Sequence, residues 1–184
     1  PPIKVLPEQE KESLNNFCEV LDSLISSKYL FAGSDIFKVI KTINSSKLLN
    51  DTFEYFTTNF DFESALTNAL NDDGNKKFFV LPTNPTEMIA LVYLLLKEIN
   101  YKHAQLTDFL DYFDGGKNYE IAYSNFASQV LVPFKNSVYQ ICEQIIKSTV
   151  NEKEIELSKS PVNEEPINIA TTFESKVENF KKEV

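Results

Sequence analysis

The sequence predicts an all-α domain, a multi-helix bundle built around one buried central helix at about residues 85–101. Three observations carry this. From Met88 to Leu96 nearly every residue is apolar, so that helix has no polar face to turn to water. Most other long segments space their apolar residues three and four apart. Punctuation by Asn, Asp, Ser and Gly falls between those segments.

The central helix has the clearest start. Phe78 to Leu81 precede Pro82, which biases them towards extended backbone. Asn84 stands at the N-cap, Pro85 at the first helical position and Glu87 at the third. The unbroken apolar run is nine residues, far below the roughly 18–20 of a membrane span.

Taken in order, Pro7 to Phe31 reads as a first helix. Leu14, Phe17, Cys18, Leu21, Leu24 and Ile25 form its stripe. Gly33 reads as its stop and Ser34 as the next N-cap. A second helix over 35–44 buries Ile36, Val39, Ile40 and Ile43, and Ser45-Ser46 ends it. A third, 47–58, carries Leu49, Thr52, Phe53 and Phe56. Asp61 caps a fourth, with Phe62, Ala65, Leu66, Ala69 and Leu70, and Asn71 to Gly74 form a turn. After the central helix, Leu106, Phe109, Leu110 and Phe113 define a helix over about 104–114, stopped by Gly115-Gly116. A last long helix spans about 118–149, with Pro133 inside it. Proline removes one donor and crowds the carbonyl of Gln129, which predicts a kink or break there.

Residues 1–150 thus form the helical domain. Residues 151–170 are polar and acidic, with Pro161 and Pro166, and read as a linker. Residues 171–184 form a short amphipathic segment, with Thr171 and Glu174 in capping-box spacing and Phe173, Val177, Phe180 and Val184 on one face. A helix this short persists only when docked. A shift of 57 residues lays Leu49-x-Asp51 on Leu106-x-Asp108 and Phe53 to Phe56 on Leu110 to Phe113, which points to a duplicated three-helix unit.

Charge and composition narrow the function. The 184 residues carry a net charge of −9 and all 18 basic residues are Lys. An acidic chain without Arg is poorly suited to nucleic acid, anionic membranes or bidentate phosphate clamps. Cys18 and Cys142 are far apart, with no CxxC motif. No leader or membrane run is visible, which predicts a cytoplasmic location; the Pro-Pro start fits either an excised Met or an excised fragment.

Candidate chemistries are few. His103 is the only histidine, while a zinc site draws on several His or Cys. Both cysteines sit at apolar helix positions, where a buried thiol is inert. Asp108, Asp111 and Asp114 recur at every third residue, a spacing that can hold Mg²⁺, but they lie opposite an apolar face and read as solvated acids. With Gly74 at position 6 of a calcium loop, positions 1 and 12 would be Ala69 and Val80, which cannot ligate. The helix over 104–114 is acidic and unsuited to a DNA groove. There is no phosphate loop, dinucleotide fingerprint or nucleophile elbow. No catalytic, cofactor or metal residue is assigned.

The aromatics are more informative. Fifteen Phe and eight Tyr exceed ordinary core demand, and some are free to line a groove. The sequence therefore predicts a non-enzymatic protein-interaction or scaffold module that binds a protein partner or itself. Phe173, Val177 and Phe180 would dock in an apolar groove, with Tyr123 and Pro133 as further contacts. The alternative is a binder of small apolar ligands with a pocket at Pro133. The third reading is a metal-dependent enzyme using Asp108, Asp111 and Asp114.

Overall fold

The computed structural model describes residues 7–158. The fold is all-α apart from one two-stranded hairpin. Helix α1 (Pro7–Ile25) is followed by a 3₁₀ turn (Tyr29–Phe31), then α2 (Ala32–Ser45), α3 (Lys47–Thr57) and α4 (Phe62–Ala69). Strands β1 (Leu70–Asp72) and β2 (Lys77–Phe79) pair antiparallel, with Leu70 opposite Phe79. Then come α5 (Pro85–Asn100), α6 (Leu106–Leu110), α7 (Tyr119–Phe126), a π-helical turn (Ala127–Leu131) and α8 (Val132–Ser158).

Local sequence sets most of these boundaries. The Asn84 side chain accepts the N–H groups of Thr86 and Glu87, which starts α5 as the Asn-Pro signal predicts. Ser46 accepts from Leu49 N–H at the start of α3, and Asp61 from Ser64 N–H at the start of α4. Asn118 does the same for Glu120 and Ile121 in α7.

Helix α5 is central. Residues Met88 to Tyr93, Leu95, Leu96 and Ile99 are all buried, and it packs against α2, α3, α4 and α8. Rings from four elements meet beside it: Phe17 of α1, Phe53 of α3, Tyr93 of α5 and Phe134 of α8. Their centroids are 4.5 Å apart for Phe53–Tyr93 and 5.9 Å for Phe53–Phe134. Phe17 lies 6.2 Å from Phe53 and 6.3 Å from Phe134. A second aromatic group, Phe79, Phe113, Phe126 and Tyr123, anchors the hairpin and α7. Helix α1 lies antiparallel along the π turn and α8: Lys135 Nζ meets Asp22 Oδ1 at 2.5 Å, while Pro7 lies near Asn151 at the other end.

Several expectations are corrected. The first helix ends at Ile25, not Phe31, because Ser26, Ser27 and Lys28 turn the chain. Gly33 and Ser34 do not stop and cap; both lie in the first turn of α2. The segment after Leu70 is a hairpin rather than a turn alone. Its loop is held by Asp73, whose carboxylate accepts from Asn75 and Lys76 N–H and is held below its ordinary pKa by those bonds. The helix over 104–114 closes after Leu110, and Asp114 takes a left-handed backbone, φ +54°.

Pro133 does not end the helical run, but the regular α-helix is interrupted just before it. The turn before it opens to π geometry, with Val132 N–H bonded to Ala127 O five residues back. A wider turn moves the preceding carbonyls from under the proline ring, so the helix continues. It runs to Ser158, eight residues past residue 150 and into the stretch predicted as linker. The 57-residue shift superimposes the bounds and N-caps of α4 and α7, both eight residues long. It also sets the eleven-residue α3 on the five-residue α6, so the two halves diverge there.

Candidate functional site

Of the residues predicted to make contacts, Phe173, Val177 and Phe180 lie outside the described residues. Tyr123 is not at a surface. Its side chain is inside the core, 1% exposed, and its hydroxyl donates to Leu24 O in the last turn of α1. Burial raises its phenol pKa well above the ordinary value. It is a strut between α7 and α1. Pro133 is half-buried on the flank of α8. Tyr119 is exposed and stacks on Tyr29 at 5.4 Å; Tyr139 is half-buried.

The titratable groups do not converge. Cys142 is fully buried, with Sγ 4.0 Å from Thr52 Oγ1, and burial pushes its thiol up to about 12. Burial also raises the pKa of the half-buried Cys18. His103 pairs with Glu98 at 3.3 Å on the surface. Asp114 pairs with Lys76 at 2.8 Å, which ties the α6–α7 loop to the hairpin instead of directing it at Asp108 and Asp111. Among the described residues no three His, Cys, Asp or Glu are grouped so as to hold a metal ion. No described helix is long and apolar enough to cross a membrane.

Two surface features remain. The first is an open groove of about 400 Å³ at the α1–α8 seam, lined by Pro7, Glu8, Lys11, Ile146, Lys147, Val150 and Asn151. Thirteen residues of α8 separate Ile146 from Pro133, about 20 Å along the axis. This groove is therefore not the pocket predicted at Pro133.

The second feature is an apolar face that the sequence reading missed. Leu30 is 71% exposed, Phe31 63% and Phe37 56%. All three come from the 3₁₀ turn and the first two turns of α2. The same helix sends Ala32, Ile36, Val39, Ile40 and Ile43 into the core on its opposite side. Gly33 lies between Leu30 and Phe37 in sequence, and a Cβ placed there would have open space about it, with nothing within 4 Å. Tyr119 and Ile121 of α7 border it, held by the Tyr29–Tyr119 stack and by Glu120 Oε2 accepting from Tyr29 N–H at 3.4 Å. A signal for it was present in the sequence: Phe37 falls off the stripe that its neighbours share.

Comparison with known families, with characterised proteins and with solved structures finds no match.

Proposed function

We propose that this chain is a non-enzymatic helical interaction module whose contact surface is the Leu30–Phe31–Phe37 face. The observation that carries this reading is that the three most exposed large apolar side chains among the described residues fall within eight residues of one another. An aromatic side chain buries about 150–250 Å² when fully covered, so at these exposures the two Phe and the Leu together present roughly 300–400 Å², within the range where the largest patch of a monomer is often functional. The segment 171–184 is a second candidate contact.

The test is photo-cross-linking in cells that express the full chain, with the cross-linking residue at position 37 and, as control, at the exposed position 63. A discrete protein adduct from 37 and none from 63 supports the reading. Equal adducts from both, or none from 37, refutes it. Light scattering on the full chain and on a truncation after Ser158 separates the role of 171–184. The cut belongs there because α8 continues past residue 150.

A further inference from the structure

We infer that the Leu30–Phe31–Phe37 face receives one acidic amphipathic helix from another protein, laid along α2. This rests on the interaction reading above and names the occupant.

Size argues for a single helix. A stable contact between folded domains buries about 800 Å² on each side, roughly twice what this face offers. An amphipathic helix docks with three or four anchors at i, i+3, i+4 and i+7. Those anchors come from the partner helix, and this face offers them Leu30 and Phe37, seven residues apart, with Phe31 and the exposed Gly33 between them in sequence. Gly33 has no side chain and open space about it, so an apolar side chain of the partner can approach the α2 backbone there, beside the small Ser34.

Charge sets the sign of the partner. The chain carries −9, yet this face is rimmed by lysines. Lys28 precedes it, and Lys38 and Lys41 follow Phe37 on the outward side of α2; all three are exposed. Two acids lie close. Asp35 is engaged by Lys38 at 3.1 Å, and Glu120 accepts from Tyr29 N–H at the α7 border. Lys28 and Lys41 thus stand at the two ends of the apolar patch, where carboxylates of a bound helix would meet them.

The chain's own segment 171–184 is a poorer match, with Glu174, Glu178 and Glu183 balanced by Lys176, Lys181 and Lys182. A second copy of the domain is acidic but needs the larger area.

The test uses two synthetic 17-residue helical peptides with the same leucines at i, i+3, i+4 and i+7. One has Glu at the flanking positions and the other Lys. Each is titrated into the isotope-labelled full chain, with amide shifts locating the site and fluorescence anisotropy giving affinity. The expected result is that shifts map to residues 28–41 and that the acidic peptide binds at least tenfold tighter in low salt, with the preference shrinking in 0.5 M NaCl as screening predicts. Phe37→Ser and Gly33→Gln should each weaken it at least tenfold with folding intact, since Phe37 is exposed and a side chain at position 33 would meet open space. Lys28→Glu with Lys41→Glu should reverse the preference.

Tighter or equal binding of the basic peptide overturns the acidic assignment and leaves the interaction reading standing. Shifts confined to the groove at Ile146–Asn151, binding of neither peptide, or a dimer abolished by Phe37→Ser also overturns the inference. The interaction reading fails separately, if position 37 yields no adduct in cells.

Discussion

Removing the Tyr123 hydroxyl and then its ring separates two structural roles. In Tyr123→Phe only the bond to Leu24 O is lost. That carbonyl also accepts from Ser27 N–H at 3.2 Å, so it is not orphaned. The cost is then that of an ordinary buried bond, about 1 kcal/mol, without the added penalty of an unsatisfied carbonyl. In Tyr123→Ala the ring goes too. It packs 6.0 Å from Phe126 in a fully buried site, and large aromatic truncations there cost about 3–5 kcal/mol. Urea unfolding of the full chain, followed by circular dichroism at 222 nm, reads both values. In thermal melts each kcal/mol should shift Tm by roughly 2–4 °C for a domain of this size. Had Tyr123 lined a surface groove, the alanine variant would lose little. A loss below about 1 kcal/mol for Tyr123→Ala would refute its placement as a strut. An unchanged Tyr123→Phe beside a costly Tyr123→Ala would refute only the hydrogen bond.

Gly115→Ala should destabilise by about 1–3 kcal/mol or more, since its Cβ would fall 2.5 Å from Ala122 Cβ and 2.6 Å from Ala122 N; urea midpoints at unchanged m-value check this. Asn84→Ala should cost about 1 kcal/mol in the same assay by leaving two N–H groups of α5 uncapped. The thiols should label unequally with a water-soluble disulfide reagent, Cys18 in the native state and Cys142 only on unfolding. Because the folded Cys142 thiol is held protonated to about 12, against 9.0 in the unfolded chain, its contribution is present below pH 9 and is lost as pH rises from there towards 12. Cys142→Ala should flatten that part of the alkaline stability curve, and an unchanged curve would refute the assignment.

Local signals in the sequence were reliable where one side chain answers its own backbone. Asn84, Ser46, Asp61 and Asn118 each accept N–H groups two or three residues on, and no distant partner is needed. Gly33 was misread because its local signal is overridden, whereas at Pro133 the expected disturbance takes the form of a π turn. Gly33 resembles a helix stop, but the chain had already turned at Ser26–Lys28, and α2 starts early to bury Ala32. At Pro133 the proline predicts a break. The apolar spacing holds another clue: Phe126, Val130, Phe134 and Val138 recur every four residues, longer than the 3.6 of an α-helix. One extra residue in the π turn keeps all four buried, and the core interactions of Phe134 hold the helix together across the proline.

The sequence by itself determined the helical class, the central position of α5 and most helix starts, because periodicity and capping are local. It also placed both cysteines on apolar faces, but only Cys142 is fully buried while Cys18 is half-buried. Only the tertiary structure decided which surplus aromatics are core and which are surface. Tyr123 and Phe37 both lie on helices, yet one is sealed between α7 and α1 while the other faces solvent. Burial depends on what the opposite face of each helix meets, and that is a property of the packing, not of the helix.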